Sequence, residues 1–131
     1  MIPVAELDKL AQARLDDAKA LLAAGRADGA TYLCGYAVEM ALKARTCRVL
    51  NWLDFPSTAS EFQAYRSFQT HELGVLLRLS GQEARIRQEH FDLWNVAVTW
   101  KSESRYNSVG TTRLADAEAM VRATETLLPI L

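Results

Sequence analysis

An arginine and a histidine that could act on a phosphate lie five positions apart in the second half of the chain, at Arg85 and His90. A guanidinium holds a phosphate through a planar fork of donors, and an imidazole can exchange a proton with a ribose hydroxyl or a leaving oxygen. Together they are the smallest set of groups that could cleave RNA without a metal. On one helix, however, five residues advance by about 500°, so the two side chains would lie about 140° apart. They could converge only at a frayed helix start or across a dimer, and on spacing alone we favour a solvated Arg and a half-buried His.

A second candidate group centres on Glu39, a carboxylate within an otherwise apolar stretch. Lys43 follows it by one helical turn, which is a favourable orientation for an ion pair. Arg45 and His71 are the other candidate partners, and His71 begins a segment that must pack nearby. We favour a buried polar tie that fixes helix register, because an unpaired buried carboxylate is costly. A catalytic carboxylate is the less favoured alternative.

A third candidate is a local set of cations with interleaved aromatic residues, which could hold phosphates and stack bases. Its cations are Arg78, Arg85, Arg87, Lys101, Arg105 and Arg113, and its aromatic residues are Trp94, Trp100 and Tyr106. Acidic residues lie among them and nearly cancel the charge, so a mixed, solvated face is at least as well supported. Taken from the second and third groups, the candidate binding residues are Glu39, Lys43, His71, Arg87, Arg105 and Tyr106.

The helix that must position these groups is predicted from residues 29–45, which are apolar on nearly every side. A surface helix has one apolar stripe, so a helix of this kind must be buried on most sides. Gly35 costs about 1 kcal/mol relative to Ala inside a helix, and we expect it to allow the close approach of a second backbone. Cys34 and Cys47 fall on the same helix, too far apart to bond, and are expected to be reduced core thiols.

The other elements follow from the helical spacing of apolar residues and from cap and turn residues. Helices are predicted over 4–24, from Asp28 as N-cap to Leu50, over 71–79 with Thr70 as N-cap, over 82–101 and over 113–128. The pattern breaks down over 51–70, apart from a short helix within 61–67, and 102–112 is loop-like. The fold class is predicted to be all-α. One domain over residues 1–131 forms an up-and-down helical bundle of four main helices plus one or two short helices.

Composition narrows the functional classes. The chain has 131 residues, a net charge of −1, 50% hydrophobic and 24% charged residues, so it has no global basic field that would indicate a nucleic-acid binder. It has no signal peptide and no run near the roughly 18 apolar residues of a membrane span, so we expect a cytoplasmic protein. It lacks a glycine-rich phosphate loop, a zinc spacing and a nucleophile elbow, so no metal or cofactor is expected.

Several short motifs occur in a particular order. Tyr32-Leu33, Ala37-Val38-Glu39 and Ala41-Leu42-Lys43-Ala44 come first, and Thr70-His71-Glu72-Leu73 and Arg105-Tyr106 follow. In this order they resemble one branch of the HEPN domain family of helical proteins, which has Ala-x-Glu-x-Ala-Leu-Lys, Thr-His-x-Leu and Arg-Tyr features. The resemblance covers nearly the whole chain, and it implies a HEPN-like helical bundle.

The resemblance also implies functions. HEPN domains are often dimers, and many are encoded beside a minimal nucleotidyltransferase as a toxin–antitoxin pair. The toxic members are metal-independent ribonucleases whose site is an Arg followed four to six residues later by a His, composed across the dimer, and Arg85 and His90 fit that spacing. Active members usually have a polar residue after the Arg, whereas this chain has Ile86. The branch with the Arg-Tyr feature often lacks the ribonuclease motif.

Two hypotheses follow. The favoured one is a homodimeric nucleotide-binding or partner-binding module, the companion of a minimal nucleotidyltransferase in a toxin–antitoxin-type system. The alternative is a metal-independent endoribonuclease toxin, in which Arg85 holds the scissile phosphate of RNA and His90 is the general acid or base. Ile86 and the helical angle between Arg85 and His90 favour the first, and a plain oligomeric scaffold is a third possibility. A dimer is also expected because a bundle of this length can leave one apolar face uncovered.

Overall fold

The computed structural model describes all 131 residues, and most of them lie in six α-helices. The helices are α1 (Val4–Ala23), α2 (Ala27–Leu50), α3 (Leu73–Leu79), α4 (Glu83–Glu89), α5 (Phe91–Ala97) and α6 (Leu114–Leu127), and two strands, β1 (Ile2–Pro3) and β2 (Asp54–Phe55), form a small sheet. The predicted all-α bundle is confirmed, although the sheet was not expected. No helix combines the length and the apolar character needed to cross a membrane.

Helix α2 is the centre of the bundle. It contacts α1, α3 and α6, and also β2 and the short 3₁₀ helix Ser102–Tyr106. Eleven of its residues are buried, so the prediction of a helix covered on most sides is confirmed. Glu39 is one of the eleven and has no exposed surface, and Cys34 and Cys47 are buried free thiols.

Helices α1 and α2 form an antiparallel pair, as the short link between them requires. Gly25, at a φ of +75°, reverses the chain after α1. At the opposite end of the pair, the chain before α1 and the chain after α2 meet as β1 and β2, with Ile2 opposite Phe55. Arg48 near the end of α2 also bonds Asp8 near the start of α1, at 2.5 Å. The start of α1 is therefore fixed beside the end of α2.

Gly35 is needed for a close approach, but the group that approaches is a side chain and not a second backbone. The indole of Trp100 lies flat against this glycine, so that a Cβ at position 35 would be 2.0 Å from Trp100 Cε2. The indole nitrogen donates a hydrogen bond to the Tyr32 carbonyl oxygen at 3.0 Å. These contacts fix the chain after α5 against the middle of α2.

Two predicted N-caps are wrong, because each side chain bonds elsewhere. Helix α2 begins after Arg26 without a side-chain cap, and Asp28 instead accepts hydrogen bonds from the backbone N–H groups of Gly110 (2.7 Å) and Thr112 (2.8 Å). These bonds lower the pKa of Asp28 from its ordinary value. The Thr70 hydroxyl accepts from the N–H of Glu72 (3.1 Å), and α3 begins only at Leu73.

The predicted long helix over 82–101 is broken into α4 and α5 at His90, which has a φ of −135° and a ψ of 33°. Residues 87–90 are all polar and none of them is buried. Ile86 packs α4 into the core, and Trp94 and Ala97 pack α5. Because no side chain of residues 87–90 enters the core, packing does not require a continuous helix across them.

Two shorter segments also differ from prediction. The helix expected within 61–67 is a pair of 3₁₀ turns, Glu61–Ala64 and Arg66–Phe68. The segment 102–112, expected to be a loop, begins with the 3₁₀ helix Ser102–Tyr106.

Gly35→Ala is predicted to destabilise the protein by at least about 1–3 kcal/mol, the usual range for overpacking a core, because the indole of Trp100 must move to admit a methyl group. Urea unfolding followed by tryptophan fluorescence would measure both the loss and the displaced indole. Gly74→Ala is the matched control, since a Cβ there meets no atom within 4 Å. It should leave stability unchanged or raise it by up to about 1 kcal/mol. Equal effects of the two substitutions would contradict the packing role of Gly35.

Candidate functional site

The buried carboxylate of Glu39 contacts a lysine and a histidine side chain through one oxygen. Lys43 Nζ donates to Glu39 Oε1 at 2.6 Å, and His71 Nδ1 lies 2.9 Å from the same oxygen. Exposure rises outward along this group: the side chain of Glu39 is 0% exposed, that of Lys43 12% and that of His71 55%. The other carboxylate oxygen, Oε2, is buried and has no hydrogen-bond partner. Of the partners predicted for Glu39, Lys43 and His71 are present.

The third predicted partner, Arg45, points elsewhere. Its guanidinium donates to the Leu131 carbonyl oxygen at 3.2 Å. Arg45 lies six residues beyond Glu39 on the helix, so its side chain leaves α2 from another face.

The position of His71 depends on the segment that carries it. His71 lies in the irregular turn before α3, and Leu73, Leu76 and Leu77 of α3 are buried in the main core. The Thr70 hydroxyl closes a local turn by accepting the Glu72 N–H. Because α3 packs on α2, the exposed His71 is held against Glu39, which lies 32 positions earlier in the sequence.

Aromatic residues of α2 continue the same helical stripe. Tyr32, Tyr36, Glu39 and Lys43 follow one another at spacings of four, three and four, which places them on one face. The Tyr32 hydroxyl donates to the Tyr36 hydroxyl at 3.2 Å. The Tyr36 ring meets the Trp100 and His71 rings edge to face, with centroids 5.1 and 6.2 Å apart.

Arg105 brings a cation to the tyrosine end of this stripe. Burial, followed by the hydrogen bond with Tyr32, raises the pKa of Tyr36 to about 12, and hydrogen bonding to Arg105 opposes that rise. Hydrogen bonding to Tyr106 and to Tyr32 raises the pKa of Arg105 above its ordinary value. Its guanidinium also lies over the Tyr106 ring, 4.9 Å from the centroid. The predicted residues Arg105 and Tyr106 are therefore connected to the Glu39 group through Tyr32 and Tyr36.

An open cleft of about 870 Å³ lies beside this group, between two chain segments. The first segment is 69–74, which contains His71, and the second is 98–103, which begins at the end of α5 and enters the 3₁₀ helix. The lining residues are Gln69, Thr70, His71, Glu72, Leu73, Gly74, Val98, Trp100, Lys101, Ser102 and Glu103. Both signs of charge are present, since His71 and Lys101 share the cleft with Glu72 and Glu103.

The Arg85 and His90 pair has a different setting. Arg85 Nε donates to Gln82 Oε1 at 3.0 Å, and its terminal nitrogen donates to the Ile130 carbonyl oxygen at 2.5 Å. His90 has a side chain that is 25% exposed, and its closest charged neighbour is Glu89 at 3.9 Å. No hydrogen bond or ion pair joins Arg85 to His90. The angle expected for one helix does not apply to them, because the helix ends before His90.

Arg87 lies outside the Glu39 group. On α4 it forms a long ion pair with Glu83, with 3.8 Å between Nε and the carboxylate. It neither lines the cleft nor bonds to Glu39, Lys43 or His71. No group of three or more His, Cys, Asp or Glu side chains is placed to hold a metal ion.

Tyr32 and Tyr36 were not predicted as parts of the site, because both lie in the largely apolar stretch 29–45. The signal was available, since their spacing from Glu39 and Lys43 places all four on one helical face. Lys101 was noticed only as one cation of a larger set, and nothing local indicated that its segment lies across a cleft from His71. The chain matches no protein-family model, and comparison with curated proteins and with solved structures gave no match either.

Lys43→Met is predicted to lower the free energy of unfolding by about 2–4 kcal/mol. Removing one partner of a buried ion pair leaves the other charge uncompensated, although His71 still donates to the same oxygen. Urea unfolding near neutral pH would measure the loss. Lys9→Met is the matched control, because Lys9 pairs with Glu6 at the exposed surface, and it should change stability little. An unfolding midpoint for Lys43→Met equal to that of the native chain would remove the structural role of the pair.

Proposed function

We propose that this chain is a small-molecule binding module and that a nucleotide occupies the cleft between segments 69–74 and 98–103. The observation that carries the proposal is the position of His71 in that cleft, held from behind by a fully buried carboxylate. A buried carboxylate behind the ring costs stability, and its contact with one ring nitrogen fixes the direction in which the other nitrogen faces the cleft.

The charges of the cleft suit a nucleoside phosphate better than a nucleic-acid strand. Lys101, and His71 once its ring is protonated, offer donors to a phosphate, and Glu72 and Glu103 offer acceptors to ribose hydroxyls. The short helix that contributes Glu103 also carries Tyr106, a residue that is 78% exposed. It lies outside the cleft lining, and Arg105 covers one side of its ring, so a base would stack on the other side. A nucleic-acid strand has a phosphate at every nucleotide, so some of its phosphates would lie beside Glu72 or Glu103. A single nucleotide can place its one phosphate beside the cations.

The proposal extends to the partners of the chain through the resemblance to HEPN domains. The module is a homodimer and serves as the companion of a minimal nucleotidyltransferase in a toxin–antitoxin-type system. A nucleotidyltransferase uses nucleotides, so a nucleotide site on its companion fits this pairing. Exposed apolar side chains such as Leu53, Phe91 and Leu114 supply surface that self-association or a partner would cover.

Adenosine 5′-monophosphate is predicted to bind the purified protein, and adenosine to bind much more weakly, because the cations of the cleft recognise the phosphate. Lys101→Met should weaken nucleotide binding by about tenfold to a hundredfold, the value of one charge-assisted hydrogen bond. Isothermal titration calorimetry would measure both. Lys9→Met removes an exposed lysine on α1, away from the cleft, and should leave the affinity unchanged. The proposal fails if no nucleoside monophosphate binds, or if the two lysine variants behave alike.

A metal-independent endoribonuclease is the second candidate function. The break at His90 supports it, because a residue between two helices is not bound to the 140° separation of a continuous helix. Arg85 counts against it, since its guanidinium already bonds Gln82 and the Ile130 carbonyl and would have to release them to hold a phosphate. In a dimer, the free nitrogens of two such pairs could still face one another, with Arg87 adding a phosphate contact.

The ribonuclease function predicts that the dimer cleaves a mixed RNA pool in EDTA and that His90→Ala abolishes cleavage. His90→Ala is the informative variant, because Arg85→Ala also removes two bonds that hold the fold. Light scattering during gel filtration must first give the dimer mass, since a monomer has no composite site. Intact RNA after incubation with a correctly folded dimer would leave nucleotide binding as the remaining proposal.

A further inference from the structure

We infer that the cleft takes a phosphate monoester and that its binding is coupled to the uptake of one proton by His71, with buried Glu39 holding the resulting charge. This inference rests on the proposed nucleotide site and specifies its ligand chemistry and its dependence on pH. Three features carry it: the orientation of the imidazole, the charge balance behind it and the exposure of the ring.

The contact with Glu39 fixes which nitrogen of His71 faces a ligand. An ionised carboxylate only accepts hydrogen bonds, so Nδ1, at 2.9 Å from Oε1, carries the proton. Nε2 makes no hydrogen bond within the protein, and the ring, with 55% of the side chain exposed, lines the cleft. A neutral ring therefore presents an acceptor to the cleft, and a phosphate oxygen, which is also an acceptor, cannot bond to it. Protonation of Nε2 converts it into a donor.

The charges behind the ring allow that proton to be held. Glu39 and Lys43 form a pair with no net charge, so the neutral ring faces a compensated site when the cleft is empty. Glu39 Oε2 is buried and has no donor, so the carboxylate retains unused capacity to stabilise a second cation. Once Nε2 is protonated, the positive charge of the ring strengthens the hydrogen bond from Nδ1 to Oε1. The ligand on the opposite side of the ring balances that extra charge.

Other ionisable groups surround His71 on each neighbouring element. On α2 they are Tyr36, Glu39 and Lys43; next to it in the chain is Glu72; across the cleft are Lys101 and Glu103; and beyond Tyr36 is Arg105. Only Glu39 bonds the ring. Lys101 and Glu103 lie on the same segment with opposite charges, so their effects on His71 oppose each other, and Glu72 is exposed to solvent.

A monoester gains from this arrangement and a diester does not. A phosphate monoester carries close to two negative charges near neutral pH, with a second pKa of about 6. A diester carries one charge, which Lys101 alone can match. The second charge of the monoester is the group that requires a proton on His71, so the cleft should prefer a terminal phosphate to an internal one.

The experiment is calorimetric titration of adenosine 5′-monophosphate in two buffers of equal pH and different ionisation enthalpy, near pH 7.5, where the ligand is already a dianion. The difference in heat gives the number of protons taken up. We expect about half a proton or more for the native chain, and an affinity that falls by up to about tenfold per pH unit at higher pH. Adenosine 3′,5′-cyclic monophosphate, a diester, should bind more weakly and without proton uptake.

The variants separate the groups. His71→Gln, at an exposed position, should retain binding to Lys101 but lose proton uptake, and its residual value corrects for protons taken up by the ligand itself. Glu39→Gln should also reduce proton uptake. If this variant does not fold, His71→Gln by itself tests whether the proton is taken up by His71. Glu6→Gln, which removes an exposed carboxylate on α1 outside the cleft, should retain both binding and uptake. Binding of the monophosphate without proton exchange, or equal uptake in native chain and His71→Gln, overturns this inference and leaves the nucleotide site standing. No binding at any pH overturns both.

Discussion

The buried carboxylate of Glu39 is the constraint on which the rest of the structure depends. A charged group with no exposed surface is tolerated only when partners replace the water it has lost. Lys43 supplies one partner from the same helix. The second, His71, comes from the chain before α3 and sets where that chain must cross α2. The cleft follows directly, because segment 69–74 is held at this crossing and forms one of its sides.

The other side of the cleft depends on a second close contact on the same helix. Trp100 fits against α2 only because Gly35 has no side chain, and its indole nitrogen is satisfied by a carbonyl oxygen of α2. The residue that follows, Lys101, is thereby placed at the cleft. Helix α2 therefore fixes both sides, one through an ion pair and one through the absence of a methyl group. Loss of either contact would move a side of the cleft as well as destabilise the fold.

Much of the helix pattern could be predicted, because it depends on local spacing. Residues within one or two turns indicate that α2 is buried on most sides, that Glu39 is buried and that it pairs with Lys43. Asp28 could not be predicted in this way. Its local environment indicates a cap, but two N–H groups more than 80 positions away provide better donors. His90 is similar, because no helix-breaking residue occurs there, and the break reflects where the core stops requiring continuity.

The candidate site divides in the same way. Glu39, Lys43 and His71 were predicted together because a buried charge restricts the choice of partner. The two tyrosines were not, since an aromatic residue on an apolar helix is usually a core residue and only the fold brings Arg105 close to them. Arg85 and His90 were brought forward by a spacing that any arginine-rich helix can produce. In the structure Arg85 already has protein partners, so spacing did not reveal whether the guanidinium was free.

The contact between His71 and Glu39 has two possible explanations, a structural one and a functional one, and the exposure of His71 distinguishes them. Lys43 lies on the same helix as Glu39, binds the same oxygen and is nearly buried, so it already compensates the carboxylate without help from another segment. A purely structural second partner would be expected to be buried and to use the oxygen that remains unpaired. His71 does neither, because it shares Oε1 with Lys43 and leaves more than half of its side chain in solvent. The contact between His71 and Glu39 positions segment 69–74, but compensation of the buried charge does not require it. An exposed imidazole held in this way presents a nitrogen of fixed direction to whatever enters the cleft.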